Sequence, residues 1–407
     1  MRIRSITYFL HPRWPISELI LQKARIFAQH AKIDLEKAGY PVQSIRLATP
    51  PFPEFLTKQD YAKATVQLEI LAHSEGFEYV ALGPALPHLP ESYASIPGLL
   101  ANSGNLFFSG HLTTPQGEIS LTAVRACAKV ISQSASLEKD GFANLRFAAL
   151  ANVPPWAPFF PAAYHQGKAP AFALALEAAD LAVDAFSEAT TLKDARAALI
   201  SKVETHAAAL ERISQRIAGI YQIDFKGLDF TPAPFPETNK SLGHALESLG
   251  LPAIGLSGSL AAAAFLTDTL DRANYRRTGF NGLMLPLLED STLAKRGAQG
   301  VLTVTDLLLY AAVCGTGLDT LPIPGDVTVE QIQAVLLDLA ALALRLDKPL
   351  TARLMPIPGK QAGDLTDFEF EYFANSKVLS LPAEPLTGLL AGHEDFTIHT
   401  RRAANSR

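Results

Sequence analysis

Cysteine is nearly absent from this chain of 407 residues, which contains only Cys127 and Cys314. Two thiols so far apart exclude a disulfide framework and a zinc-ribbon pattern, and they suit a reducing compartment.

Charged residues are scarce too, because they make up 18% of the chain, and the net charge is −5. This balance argues against a nucleic-acid surface and against a polybasic membrane anchor.

Long hydrophobic runs are also missing. The apolar run at the amino terminus is interrupted at once by His11 and Pro12, which makes it too short for a signal peptide. The longest apolar run elsewhere, residues 260–266, is stopped by Asp268. A membrane span needs about 20 apolar residues. We therefore expect a protein of the cytoplasm that has neither a membrane nor a nucleic acid as its partner.

What the chain does have is a repeated alternation of short apolar runs with helical patterns. The runs predict ten strands, at residues 4–9, 42–47, 79–82, 105–109, 146–150, 225–230, 279–285, 318–323, 352–355 and 378–381. Helical periodicity predicts helices at residues 16–38, 61–75, 120–135, 171–185, 192–221, 259–273 and 329–345. This alternation favours a mainly parallel sheet, and ten strands favour a barrel over one open sheet.

Two similar stretches are the most distinctive feature: LPIPGD at residues 321–326 and MPIPGK at residues 355–360. Each ends a predicted strand, and one predicted helix lies between them, so they predict a β-α-β unit with neighbouring exit loops. Ligands of parallel α/β folds bind at the carboxyl ends of strands. The two stretches therefore predict a ligand-binding site at these exit loops. Asp326 follows the glycine of the first stretch, and Lys360 follows the glycine of the second.

The second stretch supplies candidate substrate-binding residues. Arg353 and Lys360 can clamp a carboxylate or a phosphate, and Gly325 and Gly359 let the backbone approach a ligand closely. A small anion is therefore the expected partner. A direct ion pair between Asp326 and Lys360, with no ligand, explains the same pattern equally well.

Cys314, Asp319 and Asp326 are candidate catalytic residues at the first stretch. Cys314 heads CGTGLDT, where its thiol can serve as a nucleophile or can be a small buried residue. Asp319 and Asp326 can act as acid and base or hold a divalent cation. The alternative is that Asp326 or Thr328 caps the following helix.

Glu289 and His165 complete the catalytic candidates. Glu289, followed by Asp290, comes after a predicted strand and can act as an acid or base, although such residues often open a helix. His165 is the one histidine in a motif-like context (AAYHQG), and its alternative is a structural role. No tight transition-metal pattern is present, so any cofactor metal would be a weakly held Mg²⁺.

Four blocks of sequence carry a family resemblance. They are NVPPWAPFFPAAYHQGKAPAFALALEAADL from residue 152, FNGLMLPLLEDSTLAKR from residue 280, CGTGLDTLPIPGD from residue 314 and RLMPIPGKQAGD from residue 353. In this order they resemble an uncharacterised bacterial and archaeal family, domain of unknown function seven-eleven, which is labelled pyruvate formate-lyase-like. The first 140 residues match it only in outline.

The resemblance implies a ten-stranded α/β barrel built from two five-stranded parallel halves that run antiparallel to each other, as in glycyl-radical enzymes. Strand ends of the two halves would then open on opposite rims. The chain departs from those enzymes at the radical loop, because the tail offers only Gly388 and Gly392, neither of them in an Arg-Val-x-Gly-aromatic setting. Radical catalysis is therefore not expected.

The predicted organisation is a single barrel domain over residues 1–407. Its halves are residues 1–155 and 225–385, joined by a helical connector at 170–222 and followed by a mobile tail at 386–407. The function we expect is an enzyme acting on a small anionic metabolite at the rim formed by the second half. The alternative is a non-catalytic binding or regulatory protein that uses the same pocket, and the sequence leaves assembly into a homo-oligomer open.

Overall fold

The computed structural model of the chain describes residues 1–400 as a mixed α/β fold. The strands are β1 (Arg2–Phe9), β2 (Ile45–Ala48), β3 (Tyr79–Ala85), β4 (Leu106–His111), β5 (Glu118–Ser120), β6 (Phe147–Ala151), β7 (Ala171–Glu177), β8 (Asp224–Asp229), β9 (Gly317–Pro324), β10 (Leu350–Ile357) and β11 (Asp395–Thr397). The helices are α1 (Glu18–Lys37), α2 (Phe52–Phe55), α3 (Tyr61–Ser74), α4 (Pro90–Ala101), α5 (Leu121–Ala135), α6 (Ala179–Ser187), α7 (Leu192–Tyr221), α8 (Leu242–Ser248), α9 (Ser259–Arg272), α10 (Ser291–Ala298), α11 (Val304–Tyr310) and α12 (Val329–Leu346). Three short 3-10 helices lie at Phe142–Arg146, Thr238–Lys240 and Gly388–Ala391.

One large sheet of nine strands organises the fold, in the order β8-β7-β1-β2-β3-β4-β6-β10-β9. Strands β1, β2, β3, β4 and β6 are parallel to one another. The parallel pair β7–β8 flanks this group on one side and the parallel pair β10–β9 on the other. Both pairs run antiparallel to the group. The prediction of a mainly parallel sheet is confirmed.

The expected closed barrel of ten strands is not found among residues 1–400. Predicted strand 279–285 is irregular, because Gly279 and Asn281 have positive φ angles of 78° and 48° that a ladder does not accommodate. Isolated bridges flank this segment, from Arg277 to Leu228 in β8 and from Pro286 to Asp319 in β9. Within it, the Phe280 and Asn281 N–H groups donate to the Asp229 carboxylate of β8. Predicted strand 378–381 is irregular as well.

Strand β7 takes the place of the first part of a predicted helix, residues 171–185. Its sequence AFALALE alternates alanine with larger residues, and all seven residues are buried. Alanine favours helices in isolation, but burial on both faces of a sheet overrides that preference. The alternation of alanine with larger residues at every second position was the signal for a strand. The predicted helix is found only in its last part, because α6 begins at Ala179.

Small residues on one face of the sheet make room for an inserted loop. The loop between β6 and β7, residues 152–170, places Phe160 in a buried cluster with Ala48, Ala81 and Ala173. On the same loop, the carbonyl of Pro158 accepts a hydrogen bond of 2.8 Å from the Thr7 hydroxyl of β1. The loop therefore fills one end of this face and leaves space at the other.

The predicted β-α-β unit is confirmed as β9-α12-β10. The two strands are parallel neighbours, and the side chain of Thr328 caps α12 in a capping box with Gln331. Of the two predicted caps, Thr328 rather than Asp326 therefore starts the helix. The exit loops lie against each other, because the Gly325 N–H donates to the Lys360 carbonyl at 3.0 Å.

The end of the chain packs on the outer side of the fold as far as the structure describes it. Strand β11 pairs antiparallel with β5, and the last seven residues of the predicted tail, 401–407, lie outside the described range. Within residues 1–400, no helix has the length and apolar character that crossing a membrane requires.

The packing of the two exit loops predicts that Gly325→Ala destabilises the protein. A Cβ at this position would lie 2.1 Å from the Ile357 carbonyl oxygen, so the backbone of β10 must move. We expect a loss of about 1–3 kcal/mol in the free energy of unfolding, measured by urea titration. The matched control is Gly98→Ala on α4, where a Cβ meets nothing within 4 Å. That variant should be neutral or slightly more stable, and equal losses in both variants would contradict the proposed clash.

Candidate functional site

A cavity of about 400 Å³ lies at one end of the sheet. The strands β1, β2, β3, β4 and β6 begin there, and the oppositely directed β7 and β8 end near it. The charged residues that line it are Arg4, Arg46, Arg146, Arg353, Glu138, Glu289 and Asp319. The aromatic residues that line it are Tyr79, Phe107, Phe142, Phe159, Phe160, Phe370 and Tyr372.

Glu289 is the centre of a buried ionic network in this cavity. Its Oε1 accepts a hydrogen bond of 2.7 Å from Arg353 Nη2, and its Oε2 accepts one of 2.8 Å from Arg4 Nη2. Arg353 also donates through Nε to Asp319 Oδ1 at 2.5 Å. The exposed fractions of the Glu289, Asp319 and Arg353 side chains are only 5%, 8% and 10%. The network therefore joins β1, β9 and β10 in a region of weak solvent screening.

The neighbouring Asp290 fixes the backbone that carries Glu289. Asp290 is the N-cap of α10, and its carboxylate accepts hydrogen bonds from the backbone N–H groups of Thr292 and Leu293. The same carboxylate accepts from the Ser241 hydroxyl at 2.6 Å and from the Leu242 N–H at 2.6 Å, where α8 begins. Asp290 thus has the structural role that the sequence left open, while Glu289 faces the cavity.

Burial has opposite effects on the two partners in β9 and β10. It raises the pKa of Asp319, and the nearby charge of Glu289 adds to this increase while Arg353 opposes it. Burial alone would lower the pKa of Arg353, but the carboxylates of Asp319 and Glu289 outweigh it and raise that pKa. Burial therefore favours the protonated form of Asp319, while the neighbouring Arg353 favours the charged form.

Arg46 is a buried cation in the same cavity that has no carboxylate partner among residues 1–400. Its Nε donates to the Ser44 hydroxyl at 2.9 Å, and its guanidinium carbon lies 5.6 Å from the Tyr79 ring centre and 5.2 Å from that of Phe160. Burial, followed by repulsion from Arg4, lowers the pKa of Arg46 to about 9. The side chain therefore remains positively charged at neutral pH, although it is only 8% exposed.

The structure brings three of the residues predicted from sequence together, namely Glu289, Asp319 and Arg353. Cys314 lies elsewhere: it is buried, and its Sγ accepts a hydrogen bond of 3.4 Å from the Gly317 N–H. It borders a separate open cleft of about 440 Å³ that Lys348 also lines.

The exit-loop residues Gly325, Asp326, Gly359 and Lys360 do not line the cavity either. Asp326 accepts a hydrogen bond of 2.9 Å from the Gln361 side chain, and Lys360 forms its ion pair of 2.8 Å with Asp367. The ion pair between Asp326 and Lys360 that the sequence offered as an alternative is therefore not formed.

His165 sits on the inserted loop, towards the carboxyl ends of the central strands. Its backbone N–H donates to the Thr49 carbonyl at 2.9 Å, and its ring is stacked against Phe9 with 6.4 Å between the ring centres. The residue is 1% exposed, and burial lowers its pKa to about 4. It is held apart from the residues that line the cavity.

Sequence reasoning missed Arg4 and Arg46. Arg46 is the one polar residue in the strand IRLA of β2, and Arg4 is one of two arginines in the strand RIRSITYF of β1. An arginine in a fully buried strand is rare and needs an acceptor, so this contrast was the available signal. No group of three or more His, Cys, Asp or Glu side chains suited to a metal ion is found within residues 1–400.

Comparison with known proteins identifies the relatives of the chain. A family model described as "Uncharacterised ACR (DUF711)" matches residues 1–375. A UPF0210 protein of Pyrobaculum arsenaticum is 31% identical over 374 residues, which cover 86% of this chain and 82% of the relative. A UPF0210 protein of Pyrobaculum aerophilum is 33% identical over 353 residues, covering 81% and 77%. One from Acetivibrio thermocellus is 28% identical over 369 residues, covering 84% and 81%. These names state no activity.

The ionic network predicts a large loss of stability for Arg353→Met. This change leaves the buried carboxylates of Glu289 and Asp319 without a common partner, so we expect a loss of about 3–5 kcal/mol in the free energy of unfolding. Arg272→Met is the matched control, because Arg272 forms an exposed ion pair with Asp268 that contributes about 1 kcal/mol or less. Urea unfolding measures both, and similar small losses would show that the network does not stabilise this end of the sheet.

The buried His165 predicts a specific dependence of stability on pH. The unfolded chain binds a proton at the ordinary value of 6.5, whereas the folded protein does so only near 4. The unfolded state therefore holds more protons in this window, and His165 lowers stability by about 3 kcal/mol as the pH falls from 6.5 to 4. In His165→Gln, stability measured by urea unfolding should fall less steeply over this range. The exposed His393→Gln is the control, and an unchanged slope in His165→Gln would contradict the assignment.

Proposed function

The chain belongs to the uncharacterised DUF711 family, and we propose that it is an enzyme acting on a small anionic metabolite, a carboxylate or a phosphate. The ligand would bind in the cavity of about 400 Å³, a size within the range of small-molecule sites. The observation that carries this proposal is Arg46, a buried guanidinium that faces the cavity without a carboxylate partner among residues 1–400.

The energetics of burial support an anion as the ligand. Removing an ion from water costs several kcal/mol unless a charge of opposite sign compensates it. Arg4 and Arg353 receive that compensation from Glu289, and Arg353 also from Asp319. Within residues 1–400, Arg46 forms no direct ion pair, and its side-chain hydrogen bond goes to the Ser44 hydroxyl. A carboxylate or phosphate can accept two hydrogen bonds from the terminal groups of one guanidinium. An anion beside Arg46 would therefore complete the charge balance of the cavity.

The chemistry that fits these residues is proton transfer. Asp319 has a raised pKa and lines the cavity, so it is the proposed general acid or base. Arg353 would position the Asp319 carboxyl group by its hydrogen bond, and the charges of Arg353 and Glu289 would tune the pKa of that group. A glycyl radical is not part of this proposal, because neither Gly388 nor Gly392 lines the cavity. Gly388 begins the last 3-10 helix, and Gly392 follows that helix near Leu121 of α5.

A non-catalytic binding or regulatory protein is the second candidate. The observation that favours it is that both oxygens of Glu289 are already bonded to arginines, and that Asp319 is bonded to Arg353. Such pairing also occurs in structural networks that perform no chemistry. The two candidates share the anion site and differ only in whether the bound molecule is converted.

Location in the cytoplasm is part of the proposal. Its support is that Cys127 and Cys314 are both buried free thiols, as is usual where the compartment is reducing.

The proposal predicts opposite effects of Arg46→Met on the free and the liganded protein. Without ligand the variant should be at least as stable as the wild type, because it removes an unpaired buried charge. A panel of small carboxylates and phosphates is then tested by thermal shift. A compound at 100 times its Kd stabilises the wild type by about 2.7 kcal/mol, and this stabilisation should be lost in Arg46→Met. Arg272→Met, a surface variant, should respond like the wild type.

The same compounds distinguish the two candidate functions. Each compound that stabilises the protein is incubated with it and followed by NMR, and Asp319→Asn should still bind but should abolish conversion. Binding without any conversion would favour the regulatory candidate. If no anion stabilises the wild type, or if Arg46→Met responds as the wild type does, the proposed site is wrong.

A further inference from the structure

We propose that the anion bound at Arg46 carries a flat aromatic ring. This inference rests on the proposed function and makes its substrate class more specific. One third of the residues that line the cavity are aromatic, seven of 21, whereas aromatic residues make up 8% of the chain. The cavity is therefore selectively aromatic and not merely apolar.

The first set of rings is Tyr79, Phe107 and Phe160. The centres of the Tyr79 and Phe107 rings are 5.4 Å apart with an angle of 83° between the rings, and Phe107 and Phe160 are also 5.4 Å apart, at 63°. Arg46 lies against both Tyr79 and Phe160. The guanidinium that would hold the anion is therefore in contact with this aromatic surface.

The second set is Phe142, Phe370 and Tyr372, which come from a 3-10 helix and from the segment after β10. Phe142 and Phe370 are 5.1 Å apart at 75°, and Phe370 and Tyr372 are 5.1 Å apart at 54°. Arg4 lies 5.4 Å from the Tyr372 ring centre. Each set thus combines edge contacts between rings with one arginine, and both sets border the same cavity.

Rings in such an arrangement favour another ring over a saturated group of the same size. Edge-to-face and offset contacts stabilise aromatic pairs beyond the burial of area, by an amount that corresponds to about tenfold in affinity. A saturated ring receives only the burial of area. The bound molecule would place its carboxylate or phosphate at Arg46 and its ring among these residues.

The test compares matched ligands that differ only in aromaticity. Phenylacetate is compared with cyclohexylacetate, and phenyl phosphate with cyclohexyl phosphate, by calorimetric titration of the full chain. Acetate and inorganic phosphate report binding of the anionic group alone. We expect the aromatic member of at least one pair to bind about tenfold more tightly than its saturated partner, and the pair that does so identifies the anionic group.

Two variants connect the preference to the cavity. Tyr79→Leu and Phe370→Leu each change one ring set, and each should reduce the preference for the aromatic ligand while retaining binding of the anionic group. Phe55→Leu is the matched control, because Phe55 lies away from the cavity and contacts His11. It should keep the full preference.

The outcomes separate this inference from the proposed function. Equal binding of aromatic and saturated ligands, with loss of both in Arg46→Met, would overturn the aromatic class and leave the anion site in place. An aromatic preference that survives in both Tyr79→Leu and Phe370→Leu would also overturn it. Absence of binding by every anion would overturn both proposals.

Discussion

The ionic network around Glu289 is the constraint on which the rest of the site depends. A guanidinium group has five donors and stays protonated, so burying it within a sheet requires acceptors. Glu289 gives one oxygen to Arg353 on β10 and the other to Arg4 on β1, and so connects strands of opposite direction. Arg46 on the next strand forms no ion pair with a carboxylate of residues 1–400. The interactions that hold this end of the sheet together therefore also leave one positive charge in the cavity.

The cavity itself follows from the distribution of small and large residues. Alanines such as Ala48, Ala81 and Ala173 cover one face of the sheet, and the loop between β6 and β7 fills the space beside them with Phe160. That loop also brings Phe160 against Arg46. This one inserted loop thus covers part of the face of the sheet and also supplies Phe159 and Phe160 to the aromatic lining of the cavity.

Sequence reasoning succeeded where the signal was local. The unit β9-α12-β10 was predicted because each strand, a cap at Asp326 or Thr328 and each glycine-terminated exit loop is recognisable within a few residues. It failed for β7, where the helix preference of alanine concealed an alternation of period two. It also failed for residues 279–285, because the positive φ of Asn281 leaves no clear trace in the composition. Glu289, Asp319 and Arg353 were selected from their motifs, whereas Arg4 and Arg46 had no motif to mark them.

The sequence by itself determined the mixed α/β class but not the way the sheet is arranged. It also determined most of the strands and helices along the chain, the β-α-β unit and the family, because each of these depends on patterns between near neighbours in the chain. Only the tertiary structure decided which charged residues meet. Arg4 and Glu289 are 285 residues apart in sequence, and the register of the strands alone brings them to 2.8 Å. Pairing between distant charges depends on strand order, side-chain direction and burial together. For the same reason, the lack of a carboxylate partner for Arg46 in the described part of the chain becomes visible only once every neighbouring carboxylate has been assigned to another residue.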